Sequence, residues 1–322
     1  MDNAGLPAPE ELHAALAPLC AEAGISPHPL CSVRREENDY AGSHASEIVA
    51  CRFADGGERR LFLKYMAVLD EGHRDHGMRG GLAYEALVYS TLLRGTIRPA
   101  FIGLHTAEDG ALWLVLECLD DAFSIDQSED EAALAGAAKW LGDFHSSMER
   151  RLATARPAGV RVYDAEFLRG WARRTNEFAG DWHRRAPWLA GLCANFDRAI
   201  DTLLAPPHTL VHGEFYPHNV LFRAGEILPV DWESAAIGAG EMDLAALTEG
   251  WGGKMEAQCL HAYRLARWPG GAPDSFARRF AAARVFMHLR WMGEHPAWTE
   301  HEDAPSLLGE LKRAAKRFGL AM

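Results

Sequence analysis

From Ser128 onward the sequence reads as helix after helix, with one interruption: an island of short β-type runs between Thr209 and Asp231. The helical runs fall near 164–179, 188–204, 243–266, 274–292 and 304–317, after a long one that ends about Arg150. Ser128-Glu-Asp-Glu131 has the spacing of a capping box for that long helix. The first third is of another kind. A helix over 10–23 is followed by strand-like runs at Ser46–Phe53 and Arg59–Met66, joined by the turn chemistry of Ala-Asp-Gly-Gly at 54–57. Leu82–Leu93 has helical periodicity, and Ala100–His105 and Ala111–Cys118 again read as strands. Segregated β-rich and helical parts imply an α+β fold in two lobes, 1–118 and 119–322.

The chain is long enough for two such lobes: 322 residues, 48% apolar. Its net charge of -12 disfavours nucleic acid as the main partner, because phosphate contacts need clustered Lys and Arg. The same excess of carboxylates attracts cationic ligands. The six cysteines have neither zinc-site nor disulfide-framework spacing and read as small hydrophobes in a reducing cytoplasm. The acidic N-terminus does not read as a signal peptide, and no apolar run approaches a membrane span.

The β island holds the chemistry. It contains His212-Gly213-Glu214, then Asn219, then Asp231 at the end of an apolar run, followed by Trp232-Glu233. One carboxylate is available to orient or deprotonate a hydroxyl; an amide oxygen and a second carboxylate are available to magnesium, a hard cation that takes oxygen ligands. Phosphoryl transfer needs those parts, since its catalysis is mostly positioning and charge neutralisation. In the first lobe, strand alternation puts Lys64 on the face of Phe62 and Met66, where a lysine requires a partner. Glu85 is the one charged residue on the stripe of Leu82, Val88, Tyr89 and Leu92, so a Lys64–Glu85 ion pair is expected.

This set resembles the aminoglycoside phosphotransferase and choline-kinase-like family, relatives of the protein kinases, over roughly Ser32 to Ala266. The resemblance implies a protein-kinase-like fold with ATP bound between the lobes and GTP as the alternative nucleotide. It implies that Glu214 is the catalytic carboxylate, that Asn219 and Asp231 hold Mg2+, and that Lys64, paired with Glu85, meets the phosphates. Glu117 and Cys118 would present backbone groups to adenine, and His212 and Asp243 would brace the catalytic loop. Gly42 and Ser43, in Ala41–Ser46, would form the phosphate-facing loop, since no G-x-G-x-x-G precedes Lys64.

Glu214 stands where the family has aspartate. One added methylene displaces a carboxylate by about 1.5 Å, and about 1 Å of misplacement can cost on the order of a hundredfold in rate. Two other motifs are decoys. His73-Arg74-Asp75 spells a kinase triplet but precedes the helix of Glu85, and Gly238-x-Gly240-x-x-Asp243 lacks the third glycine of a dinucleotide fingerprint. The reading is a kinase for a hydroxyl of a small molecule, cationic acceptors favoured, with no membrane partner. Its rivals are a kinase acting on Ser or Thr of a peptide and an impaired nucleotide-binding module.

Overall fold

The computed structural model describes residues 6–36, 38, 44–66, 80–93, 99–127 and 131–321. These fall into two compact units. The first takes the described residues up to 122 together with 228–233; the second takes those of 123–227 and 234–321. Gly42, Ser43, the Ser128 cap and the His73 triplet lie outside the described residues.

In the first unit, α1 (Pro9–Glu22) leads into β1 (Leu30–Glu36), β2 (Ala45–Phe53) and β3 (Glu58–Met66). Then come α2 (Gly81–Val88), β4 (Phe101–Thr106) and β5 (Leu112–Glu117). The strands form one antiparallel sheet in the order β1-β2-β3-β5-β4. Alternation sorts the side chains of β3. Leu61, Leu63 and Tyr65 join Leu12 and Leu16 of α1 in a core on one face, which turns Lys64 to the other. β1 was absent from the sequence expectation, because Arg34, Arg35 and Glu36 mask its alternation. The helix expected over Leu82–Leu93 is α-helical only to Val88 and π-helical from Tyr89 to Leu93. The hydroxyls of Ser90 and Thr91 both donate to the Leu87 carbonyl, competing there with the regular ladder.

The second unit opens with β6 (Phe123–Ser124) and the long α3 (Glu131–Thr154). Helices α4 (Ala165–Phe178), α5 (Trp182–Arg185), α6 (Trp188–Ala194) and α7 (Asp197–Leu204) follow. The island then supplies β7 (Thr209–Val211), β8 (Val220–Arg223), β9 (Glu226–Pro229), which spans the division at 227/228, and β10 (Ala236–Gly238). It is completed by α8 (Glu241–Leu247), α9 (Gly252–Arg267), α10 (Phe276–Glu294) and α11 (Ala304–Phe318). Two expected helices are split. The run 188–204 breaks between α6 and α7, and 243–266 breaks between α8 and α9, where Gly250 and Gly252 take positive φ of 80° and 75°. The island extends past Asp231, since β10 pairs antiparallel with β7.

α10 is the centre of this unit, with apolar residues such as Phe280, Ala283, Phe286 and Leu289 buried among α4, α7, α8 and α11. All six cysteines are free thiols; Cys20, Cys51 and Cys259 are buried, whereas Cys31 is exposed. Among the described residues no helix is long and apolar enough to cross a membrane.

Candidate active site

In the first unit the expected ion pair forms. Lys64 Nζ lies 3.0 and 3.2 Å from the two oxygens of Glu85 and 2.8 Å from Asp231 Oδ1. Glu85 is fully buried and its Oε1 also accepts the Trp232 N–H at 3.2 Å, which ties α2 to the segment carrying Asp231. Burial pushes the Glu85 carboxyl up, to about 7, against the pull of Lys64. Burial also opposes the Lys64 charge, but Asp231 and Glu85 outweigh it and hold the ammonium above its ordinary value. Asp231 takes a left-handed φ of 69°, a backbone state that costs energy for a residue other than glycine and is held here by these contacts. Two residues on, Glu233 Oε2 meets His44 Nε2 at 3.0 Å, a second buried pair in the same unit.

Glu117 and Cys118 close the sheet. Glu117 N–H donates to Ala100 O at 2.9 Å and Cys118 N–H to Arg60 O at 3.2 Å, so both amides are used within the fold.

In the second unit the turn after β7 is held by one carboxylate. Asp243, in the first turn of α8, accepts the His212 N–H at 2.7 Å and the Gly213 N–H at 2.9 Å. It also meets His145 Nε2 at 3.2 Å, while His145 Nδ1 lies 3.0 Å from the Tyr263 hydroxyl. Burial lowers the His145 pKa, so the ring is neutral, with Nε2–H donating to Asp243 and Nδ1 accepting from Tyr263. Arg267 NH1 completes the chain by donating to the Tyr263 oxygen. Gly213 has φ 85°, and a Cβ there would collide with Ser234 O and the Tyr163 hydroxyl. No other residue fits this turn.

The turn presents Glu214, which is 6% exposed. Its Oε1 lies 2.8 Å from Arg290 NH2, and its Oε2 accepts from Ser234 Oγ at 3.0 Å. The Glu214 N–H donates to His212 Nδ1 at 3.3 Å, so His212 acts as a buried brace. Asn219 Nδ2 donates to Glu214 O at 3.0 Å, which orients the amide so that its Oδ1 is the atom available to a metal. Tyr216, Trp291 and His218 line up beside this turn, with Trp291 Nε1–H donating to the Tyr216 hydroxyl at 2.5 Å.

Asp231 in the first unit and Asn219 in the second each offer a side-chain oxygen, the donor chemistry that magnesium takes. Among the described residues no group of three or more His, Cys, Asp or Glu gathers as a transition metal would require.

The family model described as the phosphotransferase enzyme family matches residues 96–283, more than half of the chain. The chain belongs to that family. No curated protein matches this phosphotransferase. Among solved structures it is similar to a choline kinase from Streptococcus pneumoniae, at 13% identity and a TM-score of 0.55, over 94% of this chain and 97% of that one. It is also similar to a GDP complex of an aminoglycoside 2'-phosphotransferase, at 15% identity and a TM-score of 0.55, over 96% and 97%. A macrolide 2'-phosphotransferase from Brachybacterium faecium aligns over 98% and 99%, at 19% identity and a TM-score of 0.51. These likenesses establish the protein-kinase-like fold.

Sequence reasoning singled out Lys64, Glu85, Glu214, Asn219, Asp231 and Asp243 but not His145, Ser234, Tyr263, Arg267 and Arg290, which contact Asp243, Glu214 or their partners. One signal was present. Arg290 and Arg267 sit in helices at positions that the apolar pattern assigns to the interior, and a buried arginine demands a partner.

Proposed function

We propose that this phosphotransferase moves the terminal phosphoryl group of ATP to a hydroxyl of a small molecule, with magnesium bound by Asp231 and Asn219. The observation that carries the reading is the part-buried Lys64 ammonium held between Glu85 and Asp231. It pre-positions a cation for phosphate oxygens next to a carboxylate suited to the metal, which is the electrostatic arrangement that phosphoryl transfer requires. Lys64 binds the phosphates and Glu85 positions it. Glu214 orients the acceptor hydroxyl and takes its proton as the bond to phosphorus forms. His212 and Asp243 fix the turn that carries Glu214. Magnesium, when bound, offsets the negative charge of the phosphates. The backbone near Glu117 and Cys118 borders the base, with carbonyl oxygens and the following amides as its partners.

The named activities of the similar structures involve choline, an aminoglycoside and a macrolide. They support a small-molecule acceptor, and the chain's charge of -12 favours one bearing a cation. GTP is the alternative donor, in keeping with the GDP complex among those structures.

The test is calorimetric titration of ATP and a non-hydrolysable analogue, with and without magnesium, against wild type and Asp231→Ala. The expected result is binding that needs magnesium and disappears in the variant. Binding of equal strength to both proteins, or none to the wild type, would sink the assignment.

A further inference from the structure

Glu214 raises a question that the kinase reading leaves open: a glutamate one methylene too long ought to overreach. We infer that Arg290 is a positioning residue that makes the longer side chain the correct one. This inference rests on the kinase reading and assigns a role within the same site.

Arg290 lies on α10 and is 3% exposed. An arginine so deep in a helix core is costly unless its donors are used. Its NH1 donates to the carbonyl of Gly213, the peptide just ahead of Glu214. Its NH2 sits 2.8 Å from Glu214 Oε1, an ion-pair contact without hydrogen-bond alignment, so charge and not a directed bond couples the two. One rigid, planar group therefore hydrogen-bonds the backbone that carries Glu214 through NH1 and sets its charge beside the carboxylate through NH2. Burial works against the Arg290 charge, and the neighbouring Tyr216 and Glu214 more than offset it, so the cation persists.

Ser234 closes the other side. Its hydroxyl donates to Glu214 Oε2 at 3.0 Å, and its own carbonyl accepts the Tyr163 hydroxyl at 2.5 Å. Both carboxylate oxygens are thus engaged, and the side chain has a single direction. An aspartate at this position would stop about 1.5 Å short. The 2.8 Å ion-pair contact would lengthen past about 4 Å and the 3.0 Å hydrogen bond from Ser234 would be lost. Glu214, Arg290 and Ser234 form a matched set, and restoring the family's aspartate removes the grip instead of repairing the site.

The experiment is a double-mutant cycle on the full chain with Glu214→Asp, Arg290→Met and the double variant; Arg290→Lys and Ser234→Ala are gentler probes. ADP formation from ATP is measured with water, choline and an aminoglycoside as acceptors, and urea unfolding is recorded for the same proteins. Arg290→Met and Glu214→Asp are each expected to lower kcat about a hundredfold, with KM for ATP within about threefold of wild type. The double variant should fall no more than about threefold below the worse single, because both changes remove one interaction. Arg290→Lys should recover part of the loss, and Ser234→Ala should lose about tenfold while folding normally. An Arg290→Met enzyme within about threefold of wild type, losses that multiply in full, or a Glu214→Asp enzyme as fast as wild type each overturn the inference while the kinase reading stands. A wild type without turnover, whose unfolding still couples the two positions, overturns the kinase reading and leaves the pair as a structural contact only.

Discussion

Lys64 Nζ stands 2.8 Å from Asp231 Oδ1 and 3.0 Å from Glu85 Oε2, so one ammonium neutralises two carboxylates that would otherwise repel. Glu85 has no exposure to water. Lys64→Ala strands it, and removing one partner of such a pair costs about 3–5 kcal/mol. Urea unfolding should show a loss of that size, and phosphotransfer should fall by about a hundredfold or more. Adding Glu85→Gln should return most of the stability, because a neutral amide can still accept the Trp232 N–H, and should leave the rate low. A double variant as unstable as Lys64→Ala would show that the ion pair is not the origin of the loss.

Asp243 serves two backbone amides and a histidine at once. Asn offers one acceptor oxygen and turns an N–H2 toward a donor. Asp243→Asn should therefore cost about 2–3 kcal/mol of stability. It should also lower kcat more than the KM for ATP, since the damage is to the turn bearing Glu214. Steady-state kinetics and thermal melts on the same preparation check both.

Gly240 precedes α8, and a Cβ at this position would run into Arg267 NH1, His145 Nδ1 and the Tyr263 hydroxyl. Gly240→Ala should displace the Arg267–Tyr263–His145 chain that supports Asp243, with a loss of about 1–3 kcal/mol. Gly253→Ala, where a Cβ would meet nothing within 4 Å and φ is not positive, serves as the control. A Gly240→Ala protein no less stable than that control would remove close packing as the reason for glycine here.

His288 on α10 is buried, 3.9 Å from Glu249 Oε1. Burial, with the Arg284 charge beside it, lowers its pKa from 6.5 to about 4. A group depressed in the fold binds its proton more readily when unfolded. Its contribution to stability is complete above 6.5 and is lost as pH falls from 6.5 toward 4. The loss should reach about 3 kcal/mol across that window. Melting curves of wild type and His288→Gln from pH 7 to 4 should converge as the pH drops, because the variant lacks this titration. Parallel curves would refute the assignment.

Much of the site was legible because its residues announce themselves locally. The spacing from Glu214 to Asn219 to Asp231 is set within one β island, and Lys64 and Glu85 each break an apolar stripe. The strand β1 and the π-helical turn at Tyr89–Leu93 were not legible. Charged residues hide the alternation of one, and the other depends on which carbonyl two side-chain hydroxyls choose. The glycines of the rejected dinucleotide pattern proved to matter for packing at Gly240, which a motif comparison does not test.

The sequence by itself determined the α+β composition, the acidic surface and the chemistry on offer: carboxylates, one amide and one lysine in apolar surroundings. These follow from residue type and short-range periodicity. Only the tertiary structure decided that Asp243 serves the His212 and Gly213 amides and His145 together, and that Arg290, 76 positions beyond Glu214, stands beside its carboxylate. Such long-range pairs leave no periodic trace. They are fixed when a helix core buries a charge, and the charge must then find its partner wherever the packing has placed one.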